Sequence, residues 1–271
     1  MKVVKELQDL RYLNWSKIRH SSGTAGTLLK AEENSKEGKL YYKLSRFDAT
    51  NNAFGHESIN ELIVDRLLNA INIPHLHYDL IHAKIVIDGI EYETYLNRSV
   101  DYKKKGEKKT AFDSFYMVNR KANESPLDFV IRNGWEEYLY QMFIVDYLIL
   151  NRDRHGANIE VLKDEKGNIR LAPLFDHGLS LLYDETNPSK LTKDKLLADK
   201  KVMDYIGSGY TMENLALIPK EKMISLPKNK NDIVESLFED LDGILISGFV
   251  DKIAEMISER WTFYEILRNK K

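Results

Sequence analysis

The sequence predicts an α+β fold in two lobes, a strand-rich one first and a helical one after it. Three observations carry this. Aromatic and β-branched runs broken by turn residues fill the first third; from about residue 112 the apolar positions recur at helical spacing; and 271 residues suffice for two small lobes around a cleft. The boundary is expected near Asn97-Arg98, giving an N-terminal lobe of residues 1–98 and a C-terminal lobe of 99–271.

Taken in order, Leu28-Leu29-Lys30-Ala31, a polar turn at 34–38 and Lys39-Leu40-Tyr41-Tyr42-Lys43-Leu44 read as strand, turn, strand. Residues 57–71 read as a helix with Ile59, Leu62, Ile63, Leu67 and Ala70 on one face. The runs 80–86 and 90–96 flank Asp88-Gly89, a strong hairpin signal because both turn residues tolerate positive φ. A polar segment, 99–111, follows. Residues 135–150 are apolar nearly all round, as in a helix buried on every side. Residues 159–162 and 169–172 flank the turn Asp164-Glu165-Lys166-Gly167-Asn168 and predict a second hairpin. Within 231–268, the positions Ile233, Leu237, Leu241 and Leu245, then Ile253, Ile257 and Trp261, predict a packed helical pair.

Forty basic residues against forty-two acidic ones leave a net charge of -2, which gives no support to a dedicated nucleic-acid or anionic-membrane binder. The local run Lys103-Lys104-Lys105 is read as a solvated loop. Cysteine is absent, which excludes disulfides, thiolate metal sites and a cysteine nucleophile and fits a reducing cytosol. Residues 1–6 lack the apolar core of a signal peptide, and the strongest apolar run, 142–150, is interrupted by Asp146 and too short for a bilayer. The expectation is a soluble cytoplasmic protein without direct contact to membrane or nucleic acid.

The chemistry-bearing stretch is Asn151-Arg152-Asp153-Arg154-His155-Gly156-Ala157-Asn158, placed after the buried helix and before the second hairpin, which runs into Phe175-Asp176-His177-Gly178. Phosphoryl transfer asks for positioning, charge neutralisation and an acceptor for a hydroxyl proton. One carboxylate near the acceptor and two oxygen ligands for magnesium meet most of that need. Asp153 and Asn158 have the Asp-x-x-x-x-Asn spacing of a kinase catalytic loop, and Asp176-His177-Gly178 has the form of the Asp-Phe-Gly element.

Asp-Arg-His-x-x-Asn followed by Asp-x-Gly resembles the HipA-like bacterial serine/threonine kinases and, more distantly, the phosphatidylinositol 3/4-kinases. The resemblance covers residues 20–180 and implies a protein-kinase-like two-lobed fold using ATP and Mg2+. It implies Asp153 as general base, Asn158 and Asp176 as metal ligands, and His155 either near the transferring phosphate or bracing the loop. Ser21-Ser22-Gly23-Thr24-Ala25-Gly26 looks like the family's Ser/Gly loop over the ATP phosphates, with Ser22, then Ser21 and Thr24, as autophosphorylation positions. Lys43 stands as the lysine for the α/β-phosphates, since an inward charge on an apolar strand needs a partner; Glu61 is that partner, or Glu57 one turn earlier. Tyr95 and Leu96, with Asn97, are expected to form the adenine-binding link.

The family further implies a protein substrate such as a translation factor or aminoacyl-tRNA synthetase, and a helix-turn-helix antitoxin partner. There is no Ala-Pro-Glu motif after Asp176, and no room for the additional N-terminal subdomain of full-length HipA, so the chain looks like a compact member. A lipid or small-molecule phosphotransferase would use the same core residues, and a nucleotide-binding pseudokinase scaffold is the reading from outside the enzymes. His75, His77 and His82 lack a regular ligand pattern and are read as ordinary surface or core histidines. Trp15, Trp135 and Trp261 are read as packing residues.

Overall fold

The computed structural model describes residues 2–16, 28–36, 38–48 and 53–270. Its first part is built from β1 (Val3–Asp9), β2 (Lys30–Ser35), β3 (Gly38–Lys43), the short pair β4 (Phe47–Asp48) and β5 (Ala53–Phe54), helix α1 (Glu57–Ala70), β6 (Asp79–Ile87) and β7 (Ile90–Val100). Five of these strands form one sheet in the order β1-β6-β7-β3-β2.

The hairpin β6–β7 turns at Asp88 and Gly89, whose φ values of +50° and +83° are the left-handed pair that a two-residue hairpin turn requires. β3 pairs antiparallel with β2 and with β7, so Lys43 lies opposite Lys30 on one side and Asn97 on the other. β1 joins the edge of the sheet in parallel with β6, from Val3↔Leu80 to Asp9↔Lys84. β7 runs through residue 98 to Val100, so the expected lobe boundary falls within a strand.

Alternation along the strands gives the sheet two apolar faces. Leu10, Leu13, Tyr42, Ile81, Ile85 and Leu96 close one cluster on the outer face. The inner face receives α1, in which Leu62, Ile63, Val64, Leu67 and Leu68 are all fully buried. These side chains belong to the same continuous core as the helical part, so α1 is the element through which the two halves share an interior.

The second part comprises β8 (Lys108–Ala111), α2 (Phe112–Asn119), α3 (Pro126–Arg132), α4 (Glu136–Ile149), β9 (Asp153–Arg154), β10 (Glu160–Lys163), β11 (Ile169–Leu171), α5 (Lys193–Leu197), β12 (Met203–Asp204), α6 (Thr211–Ala216), α7 (Lys230–Ser236) and α8 (Ser247–Lys270). α3 starts where the Ser125 side chain accepts the Asp128 N–H and Pro126 presets the first turn. α4 is buried on nearly every side from Leu139 onward and packs against α6 and α8, as its unbroken apolar character predicts. β10 and β11 form the second hairpin, extended to three strands by β8. Trp261, on α8, is 1% exposed and lies in the same core. Among the described residues no helix is long and apolar enough to cross a membrane.

Candidate active site

The loop after α4 hangs from one buried ion pair. The Arg154 guanidinium, 1% exposed, donates Nε–H to Asp146 Oδ2 at 2.9 Å and Nη2–H to Asp146 Oδ1 at 2.8 Å. Its Nη1 donates to the carbonyls of Asn158 at 3.2 Å and Phe175 at 2.9 Å. One planar cation therefore holds α4, the 151–158 loop and the residue before Asp176 in fixed relation. Asn151 adds to this by donating Nδ2–H to Asp146 Oδ1 at 2.9 Å and accepting the Asp153 N–H at 3.2 Å. Asp146, the one charge in an apolar run, is there to receive these donors.

Asp153 and Arg154, as β9, pair in parallel with Met203 and Asp204. Burial holds the Asp153 carboxyl above the usual carboxylate range; the charge of Asp176 adds to this, while His155, Lys43 and Arg154 pull the other way. His155 Nδ1 accepts the Ala157 N–H at 3.1 Å, which leaves the ring hydrogen on Nε2, 3.7 Å from Asp153 Oδ2. His155 thus braces the loop and faces the carboxylate. Asn158 donates Nδ2–H to Asp153 O at 2.8 Å, while its Oδ1 is buried with no hydrogen-bond partner among the described residues. A buried amide oxygen left over in this way suits a hard cation, so Asn158 and the Asp176 carboxylate fit a magnesium-binding role.

Asp176 occupies the left-handed region at φ +60°, which aspartate tolerates better than most residues. Its N–H donates to Tyr78 Oη at 3.3 Å. The following turn is fastened to α1: Glu61 Oε2 accepts the His177 N–H at 2.8 Å, and Asn60 Nδ2 donates to the carbonyls of Gly178 at 3.1 Å and Ser180 at 3.0 Å. A Cβ at 178 would lie 3.2 Å from both Cβ and carbonyl oxygen of Glu57, so a side chain there would push α1 back by a few tenths of an ångström.

Lys43 Nζ pairs with Glu61 Oε1 at 3.2 Å and with Asp176 Oδ1. Burial pushes the Glu61 carboxyl up and Lys43 pulls it down. The sequence left Glu61 and Glu57 open as partners; the geometry places Glu61 on the lysine, whereas Glu57 Oε2 accepts the Arg46 N–H at 3.2 Å.

A cavity of about 560 Å³ opens beside these groups, lined among others by Tyr41, Lys43, Asn97, Ser99, Tyr102 and Asp176, a volume suited to a nucleotide-sized ligand. Tyr102 stacks on Phe175 with ring centroids 5.7 Å apart and hydrogen-bonds Glu160. Tyr95 and Leu96 do not line this cavity. Leu96 is buried in the outer cluster, and Tyr95, on the inner face, stacks on His82 at 4.6 Å. The cleft-lining stretch begins at Asn97 and extends to Tyr102 and Lys103, because β7 is longer than the apolar run suggested. The loop residues Ser21, Ser22, Gly23, Thr24, Ala25 and Gly26 lie outside the described residues; its flanks, Ser16 and Lys30, bridge to each other and line the same cavity.

The fold that carries this arrangement is similar to that of solved kinases. The chain matches the crystal structure of a Helicobacter pylori proinflammatory kinase, CtkA, with a TM-score of 0.67 at 13% identity, covering 98% of each chain. A Shewanella oneidensis HipA, solved with HipB and operator DNA, matches at a TM-score of 0.48 and 15% identity, covering 94% of this chain and 67% of that one. No protein-family model and no curated protein matches the sequence. The kinase-like two-lobed fold expected from the catalytic-loop resemblance is the fold observed.

Two outcomes follow from the site's electrostatics. Arg154→Met leaves Asp146 an unpaired buried carboxylate and should cost about 3–5 kcal/mol in urea unfolding, with a smaller loss when Asp146→Leu is added. A loss below about 1 kcal/mol in the single variant would show the pair to be dispensable. Asp153→Asn should raise stability at neutral pH. The folded state holds the Asp153 proton more tightly than the unfolded one, so ionisation as pH rises costs stability, and the amide removes that cost. Calorimetry should find the gain at about pH 8 and find it shrinking towards about pH 4.

Proposed function

We propose that this protein is an ATP- and magnesium-dependent kinase of the HipA-like type, transferring the γ-phosphoryl group of ATP to a serine or threonine hydroxyl of a protein. The observation that carries this is the meeting, at one cleft, of the Lys43–Glu61–Asp176 ion pairs with an Asp153 whose carboxyl feels the charges of both Lys43 and Asp176. The kinase fold supports the reaction class, and the resemblance of the catalytic loop to HipA-like kinases supports a protein hydroxyl as acceptor.

In this reading Lys43, held in place by Glu61, binds the α- and β-phosphates. The Tyr102 and Phe175 rings offer a flat surface to a purine, and polar Asn97 and Ser99 stand beside it. Asn158 and Asp176 would hold Mg2+, which supplies neutralisation of phosphate charge when bound. Asp153 takes the hydroxyl proton as the acceptor oxygen bonds to the γ-phosphorus and the bond to the β–γ bridging oxygen breaks, leaving ADP. Its raised carboxyl is a stronger base than a solvated aspartate, which favours this step. His155 keeps Asp153 oriented.

Autophosphorylation on residues 21–26 belongs to the same proposal: on the HipA-like resemblance, a phosphate on Ser22 would set a dianion against the ATP phosphates and oppose their binding by like-charge repulsion.

Incubation with γ-labelled ATP and a cell lysate should label protein, and Asp153→Ala should lower that rate by roughly 10²–10⁴-fold with little loss of ATP affinity. Asp176→Ala should also remove the response to magnesium. Unchanged turnover in Asp153→Ala would overturn the base assignment, and label entering lipid extracts alone would redirect the acceptor to a lipid. Mass mapping of purified protein should find phosphate within residues 20–27, foremost on Ser22, and none there in Asp153→Ala; a wild-type protein free of phosphate in that stretch would end the autophosphorylation reading.

A further inference from the structure

One turn beyond Glu61 on α1, Asp65 is a carboxylate, 1% exposed, that the phosphotransfer site does not use. Its Oδ2 accepts the Tyr78 N–H at 2.7 Å. Its Oδ1 faces two imidazole nitrogens, His75 Nε2 at 2.6 Å and His77 Nδ1 at 3.0 Å. The His75 side chain is 3% exposed and that of His77 is 63% exposed.

The second nitrogen of His75 decides what this cluster is suited to. His75 Nδ1 lies 2.6 Å from the Ile73 carbonyl oxygen. A carbonyl offers only lone pairs, so Nδ1 carries the hydrogen. That leaves Nε2 facing the Asp65 carboxylate oxygen, a contact that a cation between the two atoms, a proton or a metal ion, satisfies. An imidazole with one N–H anchored on a backbone carbonyl and its other nitrogen directed at a carboxylate ligand is the usual environment of a metal-binding histidine.

We propose that Asp65, His75 and His77 form a site for a transition-metal dication of the Zn2+ type, separate from the magnesium positions at Asn158 and Asp176. The three ligand atoms lie within 4.8 Å of one another. A zinc ion at about 2.1 Å from each needs them about 3.4 Å apart, so His75 and Asp65 separate by less than about 1 Å, and the exposed His77 ring moves freely enough to follow. Two imidazole nitrogens and one carboxylate oxygen favour zinc over the hard, all-oxygen preference of magnesium. The exposed side of His77 leaves a fourth position open to water or to a partner's ligand.

The site spans two parts of the kinase cleft. Asp65 shares α1 with Glu61. The backbone of His75 bridges to Leu174, Leu76 N donates to Leu174 O at 2.8 Å, and Tyr78 Oη accepts the Asp176 N–H. A bound dication would join α1, which carries Glu61, to the 75–77 segment that bridges to Leu174, two residues before Asp176. This binding stands whether or not the protein phosphorylates anything.

The test uses tag-free, chelator-treated full-length protein titrated with Zn2+, and with Co2+ as an optical probe, in millimolar Mg2+. Wild type should bind one equivalent, show the visible absorption of low-coordinate cobalt, and gain thermal stability with Zn2+. His77→Ala, at an exposed position, should fold normally and lose Zn2+ affinity by at least about 10-fold. His75→Gln should lose it too, while Asn158→Ala and Asp176→Ala should keep it. Absence of binding, unchanged affinity in His77→Ala, or loss in Asp176→Ala would each overturn the assignment.

Discussion

The Arg154–Asp146 pair is the constraint on which the geometry of the candidate site depends. Taking a guanidinium and a carboxylate out of water costs several kcal/mol per ion, and the attraction between them offsets this only when every donor and acceptor is satisfied. Here four guanidinium hydrogen bonds, two of them the bidentate contact to Asp146, and one amide from Asn151 meet that condition. The consequence is directional. Asp146 is fixed by a helix packed on every side, so the loop and the strand before Asp176 take their positions from the core rather than from each other. Asp153 and Asn158 are held in this way although β9 is a strand of only two residues.

A second layer of constraint comes from α1. Its apolar side chains close the interior shared by both halves, yet Glu57, Asn60, Glu61 and Asp65 are buried on the same helix. Each is bound to a segment that matters to the cleft: Arg46 backbone, the turn after Asp176, Lys43, and the 73–78 segment. A helix tied down at four polar points has little freedom to rotate, and Gly178 against Glu57 removes the rest. Lys43 in turn shares its charge between Glu61 and Asp176, which keeps two carboxylates close together without an uncompensated repulsion.

Much of this was legible in the residues, for reasons that differ from case to case. Asp88-Gly89 announced its hairpin because few dipeptides accept two positive φ values, and 135–150 announced a buried helix because nothing else accommodates so long an apolar run. Asp153, Asn158 and Asp176 stood out through spacing, which survives where overall identity does not, and Lys43 through its charge on an apolar strand. What stayed hidden depends on partners distant in sequence. Nothing local distinguishes Arg154 from Arg152, although the first is sealed in the core and the second is half-exposed at the surface. The adenine link was expected around Tyr95, Leu96 and Asn97; Asn97 lines the cavity, and hydrogen bonding to β3 carries the strand on to Val100. His75 and His77 showed no ligand pattern because their third member, Asp65, comes from the preceding helix.

The parallel pairing of β1 with β6 shapes how the chain reaches this state. A strand that pairs with its sequence neighbour forms quickly, whereas Val3 must wait for Leu80. During synthesis, α1 and the β2–β3 hairpin emerge from the ribosome before the edge that receives β1 exists. The first strand is then an open template on both sides, and one of them is covered only once β6 arrives to pair with it.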